Sequence, residues 1–264
     1  MRNRLSFYIV VSFAVLSLLG ALLPEKLYTE GHGLERLSGM SMEHLFGTDI
    51  LGRDIFLRIV RGSYNVALIA LPSVFVGVVI GGFLGLVSAS RNTIITMIIN
   101  SIMDILFAFP IVLLALAIVS IKGSHPLVAT FTLSVFFIPV FYRVIYMASC
   151  TFYKMDYVVS ARLSGLTNLQ IMFKHIVPNI RPLVVTQVTI QIAMAILAEA
   201  GLGYLGLSVQ PPDPTWGSLL LDAQTLIFIQ PLYALPIGLT IFIIIWALMD
   251  MADFFNKKGH RNEY

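Results

Sequence analysis

The chain has 264 residues, of which 58% are hydrophobic and only 12% are charged. Soluble domains carry about 25% charged residues, so a cytoplasmic enzyme is excluded, as is a disordered chain. The net charge of +3 gives no reason to invoke nucleic acid, and what remains is a polytopic membrane protein.

Crossing a hydrocarbon core of about 30 Å takes roughly 20 apolar residues in a helix. Six segments approach or exceed that length: 5–23, 66–90, 94–121, 126–142, 183–198 and 223–249. The first follows Arg2 and Arg4 as a signal peptide would, but its length favours a retained anchor. Next comes a polar segment, 24–65, mostly loop, with Gly31, Gly33, Gly39 and Gly47. In its last part Ile55 and Ile59 lie opposite Arg58 and Arg61. That pattern suits either a short interfacial helix over 54–65 or a solvated connector.

The second span carries Gly77, Gly81 and Gly85 on one face, with Gly82 beside them, a pattern for close helix packing. Pro72, Pro110, Pro139 and Pro236 are expected to bend the spans that hold them. Asp104 lies inside the third span and must face protein, water or a cation; a structural contact and a pathway or gating role both stay open. The fourth span is read as ending at Arg143, with Cys150 a small buried residue beyond it.

Residues 151–182 are too polar to span. Two short helices are expected there, over 153–163 and 168–176. Gly165 permits the turn between them, Thr167 or Asn168 caps the second, and Pro178 restricts its continuation. Pro182 suits the first turn of the fifth span. Glu199 falls where that span emerges, at an interface or along a pathway. The segment 201–231 holds Pro211, Pro212 and Pro214, which cannot be helix interior, and Tyr204 and Trp216, which suit an interfacial belt. Asp250 and Asp253 read as a solvated terminus.

With both termini inside the cell, eleven of the seventeen Lys and Arg residues fall on internal segments, the sign the positive-inside rule expects. A single cysteine forms no internal disulfide. There is no GxxxxGK[ST] nucleotide loop, HExxH, GxSxG or CxxC, and His32 and His44 are read as solvated loop residues rather than metal ligands. No catalytic or metal site is expected, so energy for uphill transport would enter through a partner.

Four separated blocks then carry a resemblance. They are GTDILGRDIFLRIVRGSYNVAL (47–68), MDILFAFPIVLLAL (103–116), DYVVSARLSGLTNLQIMFKHIVPNIRPLV (156–184) and ILAEAGLGYLGLSVQPPDPTWGSLL (196–220). The chain resembles the inner-membrane permease subunits of ABC importers for dipeptides, oligopeptides and nickel or metal chelates, specifically the C-type member of a heterodimeric pair. It departs from that pattern at Val159 and Ser160, where the family's EAA loop opens with an acid and an alanine, and in the turn 88–92, which lacks the usual glycines. It also stops short of the family's LDP-like tail.

The resemblance implies an all-α type I importer permease fold with six transmembrane helices in a bacterial cytoplasmic (inner) membrane. Residues 1–65 would form the first span and external loop, 66–250 a five-helix core with a coupling loop at 151–182 and an external loop at 201–231, and 251–264 a cytoplasmic tail. Implied partners are a second homologous permease, two cytoplasmic ABC ATPases that bind ATP and Mg2+, and an external solute-binding protein. Ser160, Ala161, Gly165, His175, Pro178 and Asn179 would couple to the ATPase; Asp104, Pro110 and Glu199 would line or gate the pathway. Gly47, Asp49, Gly52, Arg53, Asp54, Pro211, Pro212 and Trp216 would serve external docking. Peptide is the favoured solute, with nickel or a metal chelate as the alternative. An ion-coupled secondary transporter and a non-transporting scaffold remain as readings of another class.

Overall fold

A computed structural model describes residues 2–31, 33–90 and 94–261 of the chain. His32, Arg91 and Asn92 lie outside the described residues, and with them most of the turn between the second and third spans.

Helix α1 (Arg2–Leu22) is followed by a short α2 (Glu25–Thr29) and an irregular loop closed on itself by a Thr48–Asp54 bridge. Helix α3 (Ile55–Ala89) runs 35 residues without a break, capped where the Asp54 carboxylate accepts the Leu57 N–H. The expected short interfacial helix over 54–65 is therefore the projecting end of the second span, which runs on through residue 65. The physical reason is partnership: the projecting turns are covered by a later loop, so they need neither the interface nor solvent.

The third span is two helices, α4 (Ile94–Ala108) and α5 (Ile111–Lys122), bent by 85° at the break before Pro110. Proline lacks the N–H that α4 would need to continue and disfavours the helical region at Phe109. Helix α6 (Pro126–Tyr153) continues ten residues past the expected end at Arg143, so Arg143 lies within it. Pro72 and Pro139 sit inside uninterrupted helices. Beyond α7 (Asp156–Leu163) and α8 (Asn168–Ile171), a π-helical turn (Met172–Ile176) leads directly into α9 (Val177–Tyr204). The predicted stop at Pro178 does not occur. A proline ring collides with the carbonyl four residues earlier, here that of Lys174, and that carbonyl lies in the widened π turn. Pro182, expected in the first turn of the span, lies in the interior of α9.

Helix α10 (Trp216–Thr225) and α11 (Ala234–Arg261) complete the described residues. Among the described residues, five helices are long and apolar enough to cross a membrane, and the bent α4–α5 pair makes a sixth. The centre of the bundle is the seam between α3 and α6. A Cβ added at Gly77 would stand 2.6 Å from Phe137, at Gly81 2.2 Å from the Ile138 carbonyl, and at Gly85 2.9 Å from the Tyr142 carbonyl. The glycine face lets two backbones meet where dispersion forces gain most. At the end of the bundle holding Gly165, α11 is tied to α1: Ser6 Oγ donates to Asp250 at 2.7 Å. Asp250 is buried rather than solvated, while Asp253 is exposed as expected.

Candidate functional site

Three groups of side chains stand out, one at each end of the bundle and one within it. At one end, α7 and α8 form an elbow. The Leu166 N–H donates to the Ala161 carbonyl at 3.2 Å and the Gly165 N–H to the Arg162 carbonyl at 3.1 Å. This paired closure ends a helix with one left-handed residue, and Gly165 supplies it at φ +86°. Thr167 and Gln170 then form a reciprocal capping box that starts α8.

Below this frame Val158, Ile171, Met172 and Ile176 are buried. Above it Leu163 is 85% exposed, Leu169 65% and Phe173 63%. Val159 is also exposed and adds to this apolar surface. Ser160 and Pro178 are exposed and Ala161 packs against the core. The Asn179 amide donates to the Tyr157 hydroxyl at 3.2 Å, and the His175 ring lies 6.0 Å from the Tyr157 ring. Those contacts brace α7 against the start of α9.

At the opposite end, Asp49 is the hub of a buried cluster. One carboxylate oxygen accepts the Leu51 and Arg53 N–H groups at 2.8 and 3.0 Å; the other accepts Arg53 Nε at 2.6 Å and Arg58 Nη1 at 2.7 Å. Arg58 Nη1 also reaches Asp222 on α10 at 3.2 Å. Gly47 and Gly52 hold the surrounding turns at φ +78° and +77°. His44 bridges Asp54 at 2.7 Å and Glu35 at 3.4 Å. Its hydrogen bond to Asp54 raises its pKa above the ordinary 6.5, burial opposes this, and Glu35 adds to the rise.

The projecting turns of α3 then lock onto the segment before α10. Trp216 Nε1 donates to the Ile59 carbonyl at 3.1 Å, Asn65 Nδ2 to the Pro214 carbonyl at 2.7 Å, and Arg61 Nε to Asp213 at 3.1 Å. Trp216 is wholly buried, contrary to the interfacial ring expected of it. An apolar ring whose one N–H finds a carbonyl has no need of water. Asp49, Gly52 and Arg53 are likewise interior, whereas Pro211 and Pro212 are exposed. Glu199, read as interfacial or pathway-lining, is fully buried within this chain and accepts the Ser208 hydroxyl at 2.9 Å.

Within the bundle, Arg143 Nη2 donates to Asp104 at 2.7 Å, and its guanidinium lies 4.3 Å from the centre of the Phe107 ring. Sequence reasoning placed Arg143 outside the membrane. The signal was available: ten further residues, VIYMASCTFY, contain no charge and continue the helix. Pro110 stands exposed at the nearby break. Among the described residues no group of three or more His, Cys, Asp or Glu side chains is placed to hold a metal.

Residues 77–258 match the family described as "Binding-protein-dependent transport system inner membrane component". Over 255 residues the chain is 35% identical to the dipeptide transport system permease protein DppC of Alkalihalophilus pseudofirmus, covering 96% of this chain and 84% of that protein. It is 37% identical over 215 residues to the glutathione transport system permease protein GsiD of Pectobacterium atrosepticum, covering 81% of this chain and 71% of that protein. The di/tripeptide transport system permease protein DppC of Pseudomonas aeruginosa is 36% identical over 220 residues, with 82% and 72% covered. Among solved structures, a chain of the MetNI methionine ABC transporter in an inward-facing form shares the fold at TM-score 0.64, with 78% of this chain and 97% of that chain covered and 19% identity.

Proposed function

Since this chain belongs to the family of inner-membrane components of binding-protein-dependent transport systems, we propose that it is the permease subunit of an ATP-driven importer of short peptides. It forms half of the passage, and a second, homologous permease forms the other half. Two cytoplasmic ATPases bind ATP and Mg2+ and drive the cycle, and an external solute-binding protein delivers the peptide. Both termini and the α7–α8 elbow lie in the cytoplasm, as the distribution of basic residues supports. Peptide as the solute is supported by relatives named for dipeptides, di/tripeptides and glutathione.

The observation that carries the coupling role is the elbow itself. It presents apolar side chains off the end of the bundle, and its inner face is packed and capped. From α8 the chain passes through the π turn into α9 without a loop, so a push on Leu169 is delivered to a spanning helix. Here Ser160, Gly165, His175 and Asn179 are positioning residues that hold the docking face. At the external end Pro211 and Pro212, with the exposed Ile50 and Leu51, offer surface to the solute-binding protein. Asp49, Arg53, Asp54 and Trp216 hold that surface in place from behind.

The test is reconstitution of the four-part complex with its solute-binding protein in vesicles. Uptake of a labelled dipeptide is expected to require ATP. In Gly165→Leu the assembled complex is expected to hydrolyse ATP while uptake falls at least about tenfold. Equal uptake by the assembled variant would remove the coupling role, and peptide uptake without any ATPase would remove the whole reading.

A further inference from the structure

The Asp104–Arg143 pair is half-open in this chain, with the Asp104 side chain 65% exposed and Arg143 45%. Asp104 lies ten residues after the start of α4, and Arg143 ten residues before the end of α6. At 1.5 Å per residue each stands roughly 15 Å along its helix from the same end of the bundle, among apolar residues of the span. Charges at that depth do not face lipid; they face a water-filled path or other protein. Two further observations point to the path. The α4–α5 break lies about one and a half turns beyond Asp104, and a broken span is stable in a membrane where it lines a cavity. One turn before Asp104, the Asn100 amide oxygen accepts the Tyr142 hydroxyl, extending a polar stripe along the same seam.

We infer that the Asp104–Arg143 pair is a peptide subsite in the passage, which opens so that Arg143 takes the carboxylate end of the peptide and Asp104 its ammonium end. A zwitterionic peptide carries the same two charges as the pair. Exchange of partners therefore leaves no charge bare in a low-dielectric passage, where an unpaired ion is costly. The guanidinium fork fits a carboxylate with two parallel hydrogen bonds, and the Phe107 ring beneath it keeps the cation oriented while the carboxylate changes. When empty, the pair satisfies itself.

This inference rests on the peptide-import reading. Its test uses the reconstituted complex with a labelled dipeptide, the same dipeptide as its C-terminal amide, and its N-acetyl form, each supplied at saturating solute-binding protein. Arg143→Gln is expected to cut preference for the free peptide over the amide about tenfold or more relative to wild type, the scale of one charge-assisted hydrogen bond. Asp104→Asn is expected to do so for the free peptide over the N-acetyl form. The double variant Asp104→Asn with Arg143→Gln leaves no lone charge and is expected to lose both preferences while still hydrolysing ATP. If all three peptides fall by one factor, or both preferences survive, the subsite is overturned although import stands. If the double variant fails to assemble, the pair is a subunit contact and the inference is likewise overturned. Absence of ATP-dependent peptide uptake in wild type overturns the import reading as well.

Discussion

Two glycine elbows bracket α9, one before α8 and one after Tyr204, and they share a hydrogen-bond pattern. At the first, Leu166 N–H reaches the Ala161 carbonyl at 3.2 Å; at the second, Leu207 N–H reaches the Leu202 carbonyl at 2.8 Å. Gly165 and Gly206 take φ values of +86° and +72°. The chain beyond the two elbows takes opposite courses. After Gly206 it turns inward, with Ser208 and Trp216 wholly buried and Glu199 closing the turn. After Gly165 the residues from Thr167 to Gln170 stay exposed. The same local geometry thus serves a lock closed by the chain's own residues at one end and an uncovered face at the other.

The largest effect is expected from breaking the closed elbow's neighbour. Trp216→Ala removes a fully buried ring and its bond to the Ile59 carbonyl, at a cost of about 3–5 kcal/mol. Thermal unfolding of the purified complex is expected to show a large loss of stability, with the chain poorly retained in the membrane. A wild-type melting profile would mean that the α3–α10 lock does not hold that end of the bundle together.

The two glycines sharpen the comparison at smaller scale. A Cβ at Gly165 or Gly206 meets nothing within 4 Å, so Gly→Ala at each costs only the left-handed backbone, about 1–2 kcal/mol. Equal shifts in melting are expected for the pair. The ratio of peptide moved to ATP hydrolysed is expected to fall for Gly165→Ala and to hold for Gly206→Ala. Equal functional loss would show that the elbows do the same work.

Much of the Gly165 elbow was legible in the sequence. Gly165 and Thr167 sit between two polar amphipathic stretches, and turn and cap chemistry is local, so a single residue type identifies its place. The spans were legible because length and hydropathy are set by the membrane. The α3–α10 lock was not legible. Arg58 meets Asp222 across 164 positions and Trp216 meets Ile59 across 157, and no local pattern announces a partner that far along the chain. Trp216 read as interfacial because ring chemistry alone does not tell which atoms will cover it. Pro178 read as a stop because a widened turn before a proline leaves no mark in composition.

The end of the bundle opposite Gly165 also carries a titratable clasp. His44 bridges Asp54 and Glu35, and its folded pKa is raised above its ordinary 6.5. A raised pKa stabilises the folded loop fully below the unfolded value, and that contribution is lost as pH rises through the folded value. Limited proteolysis of the 33–54 loop is therefore expected to quicken as pH is raised from about 6 upward, on the order of 1 kcal/mol in opening. In His44→Gln cleavage is expected to be fast throughout and flat with pH. A wild-type loop equally protected at pH 6 and pH 9 would leave the clasp without energetic weight.

The smallest expected effect on stability belongs to the open face, and it is the most telling. Leu163 and Leu169 are 85% and 65% exposed, so replacing both with Asn removes little buried surface, and melting of the isolated permease is expected to move by no more than about 0.5 kcal/mol. If that face is covered by an ATPase, the same replacement strips apolar anchors from the centre of a contact, where truncation of single residues costs about 2 kcal/mol or more. Copurification of the ATPases is then expected to drop at least about tenfold while the permease itself remains folded. The contrast with Trp216→Ala is the point: one variant loses the fold, the other loses only the partner. If the double leucine variant keeps its ATPases, those exposed side chains serve some other contact, and the push on α9 must enter elsewhere.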